Sequence, residues 1–130
     1  MYSSDEFESD LINSYAYDTA LVFIQKFSGD TNYSRQLGSN SNGQLCKTGQ
    51  NILYYINPGE EATDIRCNIY DFAGNEYEWT TETHLPNAPC TYRGGFYNSF
   101  SYCPGERNCN AATNLNNSDI SFRVILYVNQ

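Results

Sequence analysis

Five cysteines, at positions 46, 67, 90, 103 and 109, and a single histidine, His84, are the most reactive side chains of this sequence. No two of the cysteines stand in a Cys-x-x-Cys pair. A structural zinc centre usually takes four nitrogen or sulfur ligands in such close pairs, so the spacing points away from a metal cluster. An odd number leaves at least one thiol free. The thiols are expected to be mostly reduced, with a Cys103–Cys109 bridge as the alternative. His84 lies among Thr83, Leu85 and Pro86, with no serine or cysteine motif of the nucleophile-elbow kind around it, and reads as a surface turn residue. No glycine-rich phosphate loop precedes a helix.

What remains is chemistry of recognition. Phe96, Tyr97, Asn98, Ser99, Phe100, Ser101, Tyr102 and Cys103, followed by Gly105, Asn108 and Asn110, form an aromatic and polar mixture. From Gly94 to Asn114 there is no Leu, Ile or Val. Antibody paratopes use Tyr, Ser, Gly and Asn because they combine large rigid contact area with adaptable hydrogen bonding. The segment is flanked by two well-patterned strands, and loops held on a rigid frame are where binding is usually built.

The elements that must position this segment follow from pattern. Tyr17, Ala20, Leu21, Ile24 and Phe27 recur at helical spacing, with Ala16 and Phe23 widening the stripe and Asp18, Gln25 and Lys26 on the wet side. This predicts a helix over about 14–27, capped by Asn13 or Ser14 and ended by Gly29. Residues 1–12 are acidic and read as a solvated lead-in. Residues 28–50 read as loop, and Ile52–Ile56 as a short strand closed by Asn57-Pro58-Gly59.

The centre of the chain is Cys67–Trp79, which predicts a short strand, a Gly74-Asn75 turn and a second strand ending on the only Trp. Thr80–Thr83 continue that strand, and His84–Pro89 turn. Cys90–Phe96 reads as a strand carrying the glycine pair Gly94-Gly95. Ile120–Val128 reads as one C-terminal strand central to a sheet. One helix, short strands and much ordered loop make a single α+β domain over residues 1–130, which can equally be the C-terminal part of a longer protein.

Asn68-Ile-Tyr-Asp-Phe-Ala-Gly-Asn-Glu-Tyr-Glu-Trp79, Arg93-Gly94-Gly95 and the closing Ile120-Ser-Phe-Arg-Val-Ile125 stand in an order shared with known proteins. They resemble the Gly-Asn-x-x-Glu-Trp signature and its companions in the formylglycine-generating-enzyme branch of the C-type lectin fold, over roughly the last half of the chain. The resemblance implies a C-type-lectin-like fold, a small twisted antiparallel sheet with long loops folded over it. It also suggests oxidation by a copper-binding cysteine pair, but the first of those cysteine positions is Ser99 here, and Cys103 falls out of register with the second. That departure removes the chemistry, and no enzyme activity is expected. Calcium is the one ion the resemblance admits, through Asn75 and Glu78. Against it stands a simpler reading in which Asn75 makes the turn and Glu78 pairs with Arg93 or Arg123, because calcium wants six to eight oxygens.

One compositional bias extends the resemblance. Replacing the adenines of an asparagine codon never yields Lys, Gln, Glu, Met or Trp, and between Thr83 and Asn129 only Glu106 belongs to that excluded set. Many variable proteins of diversity-generating retroelements are built on this branch of the fold, with variable positions between the Gly-Gly strand and the last strand. By that resemblance the binding face is Tyr92, Phe96, Tyr97, Asn98, Ser99, Phe100, Tyr102, Cys103, Arg107, Asn108, Cys109 and Asn110. The expected function is non-catalytic binding of a protein or glycan on a cell surface, by a domain displayed on a phage particle or bacterial surface. The alternative is a fixed structural or partner-binding module of a phage tail or surface protein.

Charge narrows the partners. The net charge of −8 is unsuited to nucleic acid, whose phosphates demand Lys and Arg, and to an anionic membrane surface. No stretch approaches the roughly 18 apolar residues of a membrane span.

Overall fold

The computed structural model describes residues 7–35, 57–60, 62, 65–95, 103–110 and 120–128. Among them are one α-helix and eight strands, an α+β arrangement. Ile52–Ile56 lies outside the described residues, as do Phe96, Tyr97, Asn98, Ser99, Phe100, Ser101 and Tyr102.

The helix, α1 (Ser14–Phe27), forms where the apolar period predicts it. Asn13 caps it: its side-chain oxygen accepts from the Ala16 amide at 2.9 Å, a bond typically worth about 1 kcal/mol. Tyr17, Leu21 and Ile24 are buried, whereas Phe23 and Phe27 are exposed and stack on each other. The buried stripe is therefore narrower than the sequence suggests. Tyr33, in a 3-10 turn over Tyr33–Arg35, fills the space beside it and is fully buried.

Within the acidic lead-in, Phe7–Leu11 is a strand. β1 (Phe7–Leu11) pairs antiparallel with β8 (Val124–Val128), Phe7 opposite Val128 and Leu11 opposite Val124. Glu8 and Asp10 hide this strand from a reading by composition. The tail of the chain is also not one central strand. It is interrupted at Arg123 into β7 (Ile120–Phe122) and β8, which join different sheets. Phe122, Val124, Leu126 and Val128 are all exposed, a row at period two that belongs to one side of the chain.

The Gly74-Asn75 turn does not close a hairpin either. β2 (Ile65–Arg66) and β3 (Ile69–Tyr70) pair with each other around Cys67-Asn68, both at positive φ as a two-residue turn requires. The chain then passes through Asp71–Glu76 and enters β4 (Tyr77–Leu85), which turns at Pro86-Asn87 into β5 (Ala88–Arg93). The four-stranded sheet has the order β6-β5-β4-β7, where β6 is Asn108–Asn110. It is antiparallel except at one edge, since β7 runs parallel to β4.

Gly94 explains the glycine pair. It has φ +95°, and a Cβ there would sit 3.4 Å from the Tyr17 hydroxyl and 3.6 Å from the Phe72 carbonyl. Its carbonyl accepts from the Gly74 amide at 2.8 Å, so the two glycine turns are joined backbone to backbone.

Candidate functional site

Pairing register sorts the side chains of the four-stranded sheet onto two faces. Trp79 lies opposite Tyr92 on one side and Phe122 on the other, Tyr92 lies opposite Asn108, and Cys90 lies opposite Asn110. These share the outer face. Tyr92 is its hinge: its ring meets Tyr77 edge-on at 4.7 Å and Trp79 edge-on at 5.6 Å. Beside them a groove of about 490 Å³ is lined by Trp79, Thr81, Thr83, Pro89, Cys90 and Phe122 among others.

The opposite, inner face carries Glu78, Thr80, Thr91 and Arg93, all buried against α1 and its neighbours. Arg93 is 0% exposed and lies over the Tyr17 ring, 3.9 Å from its centroid. One guanidinium nitrogen donates to Asp18 Oδ1 at 2.7 Å and to the Gly105 carbonyl at 3.3 Å, and another donates to Glu82 Oε1 at 3.2 Å. Arg107 closes the circuit from outside. It donates to Glu82 Oε2 and Asp18 Oδ2, both at 2.7 Å, and to Ser14 Oγ at 3.2 Å.

Two guanidinium forks and two carboxylates thus form a ring, each carboxylate giving one oxygen to each arginine. Forks suit this geometry because arginine presents its donors in a rigid plane. The ring ties α1, β4 and β5 to the segment 103–110. That segment is further fixed where the Gly105 amide donates to the Ser34 carbonyl at 2.9 Å, and where the Glu106 amide donates to the Cys103 carbonyl at 3.0 Å. Gly105 permits this approach, because a Cβ would meet Ser34 O at 2.7 Å.

The expected binding residues therefore separate. Tyr92, Asn108 and Asn110 share the outer face. Cys109 pairs with Thr91 and turns to the inner face, by the alternation of a strand. Arg107 is engaged by Glu82 and Asp18 and acts as a clamp. Cys103 stands at the start of the turn, half-buried, its thiol pushed up by burial and by the nearby Glu106 charge. Cys67, Cys90, Cys103 and Cys109 are all free thiols, so the Cys103–Cys109 bridge is not formed. His84 is exposed at the far end of β4.

The two residues named for calcium, Asn75 and Glu78, have structural engagements of their own. Asn75 makes the turn at φ 59°, and Glu78 is held by Arg123, whose Nε donates to Oε2 at 3.0 Å while its Nη2 donates to Oε1. The same Nη2 reaches the Tyr70 carbonyl at 3.0 Å. Among the described residues no cluster of three or more His, Cys, Asp or Glu side chains is placed to hold a metal. Of the two arginines open to Glu78 in the sequence, Arg93 is its cross-strand neighbour but Arg123 is its partner. Burial still raises the Glu78 carboxyl, against the pull of Arg123.

The ring gives a pH signature. Burial pushes the Asp18 carboxyl up, but hydrogen bonds and charge from Arg93 and then Arg107 outweigh it and hold Asp18 below its usual value. A depressed folded-state pKa contributes stability that is present above the unfolded value and lost as pH falls through the folded one. Asp18→Asn is expected to melt below the parent at neutral pH. The gap should narrow below about pH 4, where the unfolded-state aspartate titrates. A gap that stays constant from pH 7 to pH 3, measured by thermal denaturation, would remove Asp18 ionisation from the ring's stability.

No protein-family description, no curated protein and no solved structure matches this chain.

Proposed function

We propose that this chain is a non-catalytic ligand-binding domain of C-type-lectin-like fold, resembling the variable proteins of diversity-generating retroelements. Its binding face is the outer side of the four-stranded sheet, with Tyr92, Asn108 and Asn110 as contact residues, and the other expected contacts, in 96–102, lie outside the described residues. The observation that carries this reading is the ion ring. It fixes both ends of the excursion between Arg93 and Arg107 to the core, and with Gly94, Pro104 and Gly105 kept, the other side chains between those ends can vary at little cost to the fold. Affinity then comes from a few aromatic anchors and adaptable polar groups, on a protein or glycan of a cell surface, with no bond made or broken in the ligand.

The test joins genetics to binding. Sister copies of the gene should differ chiefly at adenines within codons 90–125, beside a reverse transcriptase. Tyr92→Ala and Asn108→Ala should each weaken attachment to a bound cell type or glycan by about tenfold, matching loss of an interface anchor, while Phe23→Ser leaves it unchanged. Constant codons and unaffected attachment would overturn the reading. One observation favours a second reading, a fixed partner-binding module: the exposed row Phe122, Val124, Leu126 and Val128 is apolar surface of the kind partner subunits cover. That reading requires 96–110 to be constant from copy to copy.

A further inference from the structure

The ribbon of β1 and β8 leaves one face largely open to solvent. Leu11 lies opposite Val124, Ser9 opposite Leu126 and Phe7 opposite Val128, and side chains opposite each other share a face. The alternate residues, Ile125 and Tyr127, turn the other way, where they line a space with Ala16, Ala20 and Phe23 of α1. Val124, Leu126 and Val128 are 55%, 58% and 65% exposed, and Phe122, 65% exposed, extends them. Leu11 and Phe122 also wall the groove beside Trp79, so row and groove are one continuous apolar surface.

This surface is short of charge in a chain whose net charge is −8. Glu8 and Asp10 stand on the α1 side of the ribbon by strand alternation. Arg123 is paired with Glu78, and Glu82, at the groove, is held by Arg93 and Arg107. Two copies can therefore meet here without setting unpaired carboxylates against each other, whereas a basic partner finds no unpaired carboxylate among the described residues of this face. The exposures correspond to roughly 500 Å² a side for the row, within the largest apolar patches that monomers leave open and below the about 800 Å² a side of a standard interface. That area suits a reversible dimer rather than a permanent one.

We propose that a second copy of this chain covers the row, forming a weak twofold dimer. A row that meets itself about a twofold axis runs antiparallel, and with the axis between Val124 and Leu126 each contact joins a larger side chain to a smaller one. Phe122 of one copy meets Val128 of the other, and Val124 meets Leu126. The interface closes on itself, since both copies use the same row. Trp79 lies beside Phe122, and Tyr92 beside Trp79, so the dimer sets two outer faces side by side. On the ligand-binding reading, that pairing raises avidity for a repeated surface ligand; the association itself does not depend on that reading.

The test is sedimentation equilibrium of the full chain from about 5 to about 500 μM at neutral pH, in about 50 mM and about 500 mM sodium chloride. A monomer–dimer equilibrium should appear with a dissociation constant of about 10–100 μM. It should tighten about threefold or more at the higher salt, because salt screens the repulsion of like-charged copies and leaves apolar contact intact. Leu126→Glu and Leu126→Lys should each weaken association at least about tenfold. The lysine change lowers the net charge, so loss with it means that packing, not charge, decides. Val128→Ser, an uncharged change at an exposed position, should weaken association about fivefold and keeps the row testable if a charge at 126 disturbs β8; thermal melting checks each fold. Phe27→Ser, exposed on α1, should change nothing. A chain that stays monomeric throughout leaves the row to a foreign partner and overturns the proposal, as does a dimer that survives the row variants or assembly beyond two copies. Tyr92→Ala should leave the equilibrium unchanged while weakening attachment, so failure here and failure of the outer-face reading are separately visible.

Discussion

Arg93→Ala is expected to destabilise the domain by about 3–5 kcal/mol, the range found when one partner is removed from a buried ion pair. For a chain of this size that is a fall of about 10 °C or more in melting temperature. The guanidinium is fully buried, so its loss leaves a void against the Tyr17 ring and sets Asp18 and Glu82 side by side with only Arg107 between them. Asp18 is 47% exposed and can recover some water, which places the effect toward the lower end. Arg93→Lys should recover little of it. One ammonium cannot reach Asp18, Glu82 and the Gly105 carbonyl together as the fork does. Arg107→Ala is the control. Its side chain is 38% exposed and its ion pairs are screened, so the cost should stay near 1 kcal/mol or below. Its effect should appear instead as faster amide exchange at Asn108–Asn110. Equal losses for the two arginines by chemical denaturation would refute Arg93 as the anchor.

The ring marks where the sequence stops being readable. Asp18 fits a helical period and can be placed on the polar side of α1 from that alone. That it meets Arg93, seventy-five positions along, depends on how α1 lies on the sheet, and no spacing reports it. Arg107 is similar: in a stretch rich in Tyr, Ser and Asn it looks like a recognition residue, and only the path of 103–110 brings it to Glu82. The helix itself was legible because its buried side chains recur every three to four residues. β1 was not, because Glu8, Ser9 and Asp10 leave only Phe7 and Leu11 as apolar residues in a strand only partly covered. The break at Arg123 was hidden as well. β-branched residues run through Ile120–Val128 without a turn signal, and the residue between the two strands, Arg123, is the one paired with Glu78. For the candidate site, strand alternation put Tyr92 and Asn108 together once the register was known. The sequence supplied the residues but not the register.

Tyr17→Ala is expected to be the other severe change, again about 3–5 kcal/mol, the usual cost of removing a large buried aromatic side chain. Tyr17 is fully buried and packs its ring on Phe72 with centroids 4.4 Å apart, within the core formed by Ile12, Leu21, Ile24 and Tyr33. The other side of the ring supports Arg93, so the substitution removes a core residue and the floor of the ion ring together. Conservative variants separate these roles. The hydroxyl donates to the Phe72 carbonyl at a long 3.4 Å, and burial holds it neutral by raising its pKa, so Tyr17→Phe should cost only about 1 kcal/mol or less. Tyr17→Leu restores most of the apolar volume but offers no aromatic face to the guanidinium, a contact worth about 0.5–2 kcal/mol. If the ring supports Arg93, Tyr17→Leu should lose clearly less stability in an Arg93→Met background than in the parent. If the two losses simply add, the aromatic face contributes nothing beyond its volume, and the ring is held by hydrogen bonds to Asp18 and Glu82 alone.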